Sequence, residues 1–106
     1  MKDFLALGSI VVLKGGTDKI MIISRAMVVK LDNKKGYIEY GGCRYPQGMI
    51  DDKIIYFNGE NIQETVFEGY RDEQEKWMNN NIVSSICDNK YEMLHIEELQ
   101  GQKQLN

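Results

Sequence analysis

The chain of 106 residues holds one proline, one histidine and two cysteines, and each scarcity removes a class of answer. Structural zinc takes about four ligands, and Cys43, Cys87 and His95 together fall short. The two cysteines stand alone, without a CxxC spacing, so two reduced thiols are expected rather than a disulfide framework. A Ser, Cys or Thr nucleophile needs a base within hydrogen-bond reach, and the usual base is His. His95 lies far in sequence from both cysteines, which argues against an enzyme. Long apolar runs are missing too. The runs Ile10 to Leu13 and Ile20 to Ile23 fall well below the roughly 18 to 20 residues that span a bilayer, so no membrane partner is expected. The apolar part of Met1 to Gly8 is too short for a signal h-region, which predicts a cytoplasmic protein. Nor is there a basic excess. A net charge of −3 lacks the clustered Lys and Arg of a nucleic-acid footprint.

What is present fits one soluble domain over residues 1–106, with 42% apolar and 27% charged residues as in ordinary globular proteins. The charge is uneven: residues 1–53 carry +3 and residues 54–106 carry −6, a polarity suited to a steered protein partner. Ser9 to Lys14 and Lys19 to Arg25 are short β-branched runs around the turn cluster Gly15-Gly16-Thr17-Asp18, which predicts an antiparallel hairpin. Ala26 to Leu31 extends the second strand or begins another. Tyr37 to Tyr40 alternates as a half-buried strand does, Ile54 to Phe57 forms the next, and Glu64 to Glu68 the last of the β portion, which covers about residues 8–69. Asn58-Gly59 marks a turn, with a single helical turn over Glu60 to Gln63.

From Arg71 the composition turns helical. Asp72 and Glu75 form an N-cap pair, and Met78, Ile82, Val83 and Ile86 lay out a narrow apolar stripe. A second helical segment is expected over Tyr91 to Leu99, so that the helical portion covers about residues 72–99, with a mobile tail at residues 100–106. The expected core is Ile10, Val12, Ile20, Ile22, Val28, Ile38, Ile55, Val66 and Phe67.

Between the β segments lies Gly41-Gly42-Cys43-Arg44-Tyr45-Pro46-Gln47-Gly48, read as a glycine-shaped loop that presents Arg44 and Tyr45. The Leu13 to Lys19 stretch lacks the outer glycines of a phosphate loop and is followed by a strand, so a hairpin turn is the better reading. Glu60, Glu64, Glu68, Asp72, Glu73 and Glu75 lack the spacing of a calcium loop and read as a solvated acidic face. With few basic residues beside them, the β-region aromatics read as a core with an interaction rim. We take Arg44 and Tyr45, with Tyr40, Tyr56 and Tyr70, as the candidate protein-binding residues. No catalytic, cofactor or metal residues are assigned.

The words Leu7 to Arg25, Tyr40 to Gly48, Tyr56-Phe57-Asn58 and Val66-Phe67-Glu68-Gly69-Tyr70, in this order, resemble a family of small Gram-positive proteins of unknown function. Members are encoded beside LXG-domain toxins of the type VII secretion system. The resemblance covers about Leu7 to Glu75 and implies a non-enzymatic, cytoplasmic adaptor or targeting chaperone that binds such a toxin before export. An immunity protein neutralising the toxin is the alternative, followed by a small binding domain of another kind, and last an enzyme using Cys43. A homodimer is compatible with the sequence. The fold expected is α+β: a curled antiparallel sheet or SH3-like partial barrel of five to six strands, followed by a C-terminal helix.

Overall fold

Residues 3–31 and 34–96 are described by the computed structural model. Six strands and one α-helix succeed each other as β1 (Ile10–Leu13), β2 (Lys19–Leu31), β3 (Lys34–Tyr45), β4 (Ile55–Phe57), a 3-10 turn (Gly59–Asn61), β5 (Ile62–Phe67), α1 (Glu73–Asn89) and β6 (Glu92–Met93). The sheet order is β4-β3-β2-β1-β5, with antiparallel neighbours, and β6 adds to β3 in parallel. The fold is therefore α+β with an open, curled sheet. Among the described residues no pairing joins β4 to β5.

The hairpin of β2 and β3 dominates, with register running from Lys19↔Tyr45 to Leu31↔Lys34. A bulge between Ile22 and Ser24 and a left-handed Ala26 (φ 54°) interrupt its regular pleat. Both add local twist, which curls the sheet. Ala26 to Leu31 thus prolongs β2 instead of starting a new strand.

Gly41 and Gly42 depart from their expected role. They lie inside β3 and are buried. A Cβ at Gly41 would stand 2.5 Å from Ser24 Oγ, and one at Gly42 2.7 Å from Ile20 Cγ2. Glycine serves close packing across the sheet here, and the loop begins only after Tyr45.

Alternation along the strands decides the core. Val11, Ile20 and Ile22 are buried with Phe4, Tyr40, Phe57 and Val83 of α1. Ile10 and Val12 have the opposite parity and are only half-buried, while Val28, Val66 and Phe67 are exposed. Five of the expected core residues therefore lie elsewhere: Ile10, Val12 and Phe67 stand on the face that α1 does not cover, Val66 is unpaired at a bulge of the edge strand, and Val28 is exposed although its partner Tyr37 is buried. Ile55 packs at the margin of the core, and Ile38 forms a second small cluster with Leu94.

On α1, Asp72 caps the first turn as expected, accepting from the Glu75 N–H at 2.9 Å. The inward stripe is Asn79 and Val83, flanked by half-buried Ile82 and Ile86, whereas Met78 faces outward. Asn79 is inside because it holds the N-terminal segment, accepting from Phe4 N–H and donating to Asp3 Oδ1, each at 3.1 Å. Lys90 ends the helix in left-handed conformation, and where a second helical segment was expected the chain enters β6. Residues 97–99 of that expectation, and the tail 100–106, lie outside the described residues.

Two polar assemblies, one part-buried and one buried, hold the segments around Phe4 and Leu94. Arg25 and Arg71 both bond the Glu75 carboxylate, and the same guanidiniums reach Leu5 O at 3.5 Å and Phe4 O at 2.6 Å. On the other side, Asn58 accepts from Glu39 N–H at 2.9 Å and donates to Leu94 O at 2.8 Å, while Gly59 N–H donates to Glu39 Oε1 at 2.6 Å. The Asn58-Gly59 turn signal thus marks a hub that ties β3 to the C-terminal segment.

Burial works to raise the Glu75 pKa, but hydrogen bonds and attraction from Arg25 and Arg71 outweigh it and hold the carboxyl below its ordinary 4.5. A carboxyl lowered on folding stabilises the native state above its unfolded pKa, and that contribution fades as pH falls through the folded value. Glu75→Gln should cost about 3 kcal/mol at pH 7, because Arg25 is left buried without its anion. In urea titrations the deficit should shrink as the pH drops below 4.5; a deficit independent of pH would contradict the clamp.

Candidate functional site

Register places two rows of side chains on the sheet face turned away from α1. Cys43, Met21, Ile10 and Phe67 stand opposite one another across β3, β2, β1 and β5. Two residues along β3, β2 and β1, and three along β5 across its bulge, lies the row Tyr45, Lys19, Val12 and Glu64. Side chains two apart on a strand share a face, so both rows belong to one surface. Burial falls steadily along the first row: Cys43 is buried, Met21 and Ile10 are half-buried, and Phe67 is 57% exposed. In the second row the Lys19 ammonium lies 5.7 Å from the Tyr45 ring centroid, a cation–π arrangement that orients an exposed tyrosine.

Both ends of this surface carry further exposed apolar groups. Beyond Tyr45, Gly48 N–H closes on Arg44 O at 2.8 Å, and the connection to β4 exposes Met49 and Ile50. Arg44, Gly48, Ile50, Asp51, Lys53 and Ile55 line a shallow cleft of about 150 Å³. At the other end, Val66 is the extra residue of a bulge between the Ile10↔Phe67 and Val11↔Thr65 pairs. Gly69 N–H donates to Ser9 Oγ at 2.8 Å, bringing the segment before Tyr70 alongside the one that follows exposed Leu7.

Of the residues singled out from sequence, Arg44 and Tyr45 are both exposed; Tyr45 belongs to the second row, whereas Arg44, the partner of Ile20, has the opposite parity at the end of β3. Arg44 Nε donates to Asp18 Oδ2 at 3.1 Å, and both side chains remain mostly in solvent, so the pair contributes little to stability. Tyr40 is not a surface anchor. It is 3% exposed, its hydroxyl accepts from Leu5 N–H at 2.9 Å, and its ring stacks on Phe57 at 5.5 Å. Tyr56 is half-buried against the Ile38–Leu94 cluster. Tyr70 is 78% exposed in the connection from β5 to α1. Met21, Ile10, Val66 and Phe67 were missed. The available signal was the pair Glu64 and Glu68 flanking Val66-Phe67, since acidic residues on both sides of a short apolar pair suit an exposed edge.

The groups considered for catalysis are dispersed. Cys43 is buried in β3 and Cys87 exposed on α1, while His95 Nδ1 meets Glu60 Oε2 at 2.6 Å near the surface. Among the described residues no three His, Cys, Asp or Glu side chains gather as a metal site.

This division of faces is measurable. Phe67→Ser should leave the unfolding free energy within about 0.5 kcal/mol, whereas Phe57→Ala, at a fully buried site, should cost about 4 kcal/mol. Equilibrium urea denaturation of the two variants checks the assignment, and a large loss at Phe67 would return that residue to the core.

No curated protein and no solved structure matches the chain. A family model, described as a domain of unknown function (DUF4176), matches residues 4–78. The matched span runs from the buried Phe4, through both rows and the edge strand, into α1, and the chain belongs to the DUF4176 family.

Proposed function

We propose that the protein is a non-enzymatic accessory protein whose uncovered sheet face and Tyr45 loop bind a polypeptide. With the resemblance described above, the partner is an LXG-domain toxin, and the role is that of a cytoplasmic adaptor or targeting chaperone for type VII secretion. The observation that carries this reading is the apolar row that opens from buried Cys43 through half-buried Met21 and Ile10 to exposed Phe67, with exposed Tyr45, Met49 and Ile50 near its β3 end. Contiguous apolar surface rimmed by polar groups is the usual mark of a protein interface. Aromatic and Arg side chains concentrate the energy of such contacts.

No described helix is long and apolar enough to cross a membrane. A second reading, an immunity protein, draws on the acidity of residues 54–106, which would complement a basic toxin cleft.

Co-purification with separate toxin fragments distinguishes the two roles. An adaptor retains the N-terminal targeting half and an antidote the C-terminal toxic half. For the adaptor, the double substitution Arg44→Ala/Tyr45→Ala should weaken capture of the N-terminal fragment by at least about tenfold without lowering the melting temperature. Unchanged capture would remove the Tyr45 loop from the interface.

A further inference from the structure

We infer that the open edge of β5 accepts an added strand, and that the occupant is an extended, cationic polypeptide segment with Lys or Arg on either side of apolar residues. This rests on reading the protein as a polypeptide-binding module and specifies the chemistry of what it binds.

Three observations converge. First, β5 pairs with β1 on one side, and among the described residues no strand pairs on its other side. Gln63, Glu64, Thr65, Val66 and Phe67 are all exposed. The opposite edge strand, β4, has only three residues. An unpaired edge offers a row of backbone donors and acceptors that a further strand satisfies. Second, the outer-face row Cys43–Met21–Ile10–Phe67 stops at this edge with its most exposed member, and Val66 lies beside it. An apolar side chain on an added strand continues the row and removes Phe67 from water. Third, between Gly59 and Tyr70 the chain has Glu60, Glu64 and Glu68 and no Lys or Arg. Glu60 is engaged by His95, leaving Glu64 and Glu68 in solvent on either side of the apolar pair.

The same charges argue against a second copy of this chain. Antiparallel self-pairing centred on Val66 sets Glu64 directly opposite Glu68 of the other copy, and like charges directly opposite are destabilising. In any register the ribbon gathers four carboxylates. The two register shifts between β1 and β5 also twist the edge away from flat stacking of identical strands. A heterologous segment with basic residues meets both conditions, because it supplies the missing cations and can follow a twisted edge.

The test uses the full chain and two fluorescein-labelled synthetic peptides with a Val-Thr-Val centre, one flanked by lysines and the other by glutamates. The lysine peptide should bind about tenfold or more tightly than the glutamate peptide, from two opposite-charge contacts replaced by two like-charge contacts. Hydrogen exchange at the amides of residues 63–68 should slow on binding. Glu64→Lys/Glu68→Lys, both at exposed positions, should reverse the preference while leaving the near-ultraviolet circular dichroism unchanged.

Equal affinity for the two peptides would overturn the proposal. So would protection confined to residues 45–50, or a dimer in sedimentation whose β5 amides are protected without peptide. Should the peptides fail while the toxin fragment is still captured, the edge is excluded and the binding module stands. Should capture fail as well, the module reading itself falls.

Discussion

The constraint on which this structure turns is that the strands are apolar on both parities while one helix covers one face. β1 and the first half of β2 offer Ile10, Val11, Val12, Ile20, Met21 and Ile22 in near-continuous apolar runs. A helix docked on either face would bury about half of them. α1 selects Val11, Ile20 and Ile22, and Ile10, Val12 and Met21 are left on the far side. Half-buried apolar side chains on the outer face are therefore a direct consequence of this layer architecture.

What holds α1 to that face is polar as much as apolar. Its inward stripe is short, with Asn79 and Val83 the buried members, so packing alone gives the helix modest purchase. Glu75 lies between two guanidiniums that also bond the backbone of the N-terminal segment, and Asn79 bonds that segment a turn later. Breaking one partner of such an assembly strands the others in a low-dielectric site. The helix and the N-terminal segment are accordingly coupled, and the family span of residues 4–78 takes in the segment from Phe4 and the first turns of α1 with Glu75.

The consequence for function is a division between a rigid, hydrogen-bonded interior and a surface with free valence. Glu39, Asn58 and Leu94 lock the region around β3, β4 and β6. The outer rows, the Tyr45 loop and β5 present apolar side chains, and among the described residues β5 has a strand partner on one side alone. Binding surfaces built on a rigid sheet lose little conformational entropy on association, which suits a protein whose proposed task is to hold another chain.

Local signals were legible in the residues. The β1–β2 hairpin, the turn at Asn58-Gly59 and the Asp72 cap depend on neighbours within a few positions, and each appears where composition places it, whereas the extension of β2 through Ala26 to Leu31 was left open and is decided by its pairing with β3. Arg44 and Tyr45 were read as exposed on a glycine-shaped loop; both are exposed, but they stand at the end of β3. By contrast, Tyr40 and Tyr45 look alike in sequence, yet one is stacked on Phe57 and the other lies in solvent. Gly41-Gly42 reads as a loop and is the centre of a strand, since the demand for a residue without Cβ comes from Ile20 and Ser24, which approach from another strand. The sequence by itself determined that a β portion would be followed by a helix capped at Asp72. Only the tertiary structure decided which side of each strand is core, because apolar residues of both parities satisfy alternation equally until a helix docks on one face.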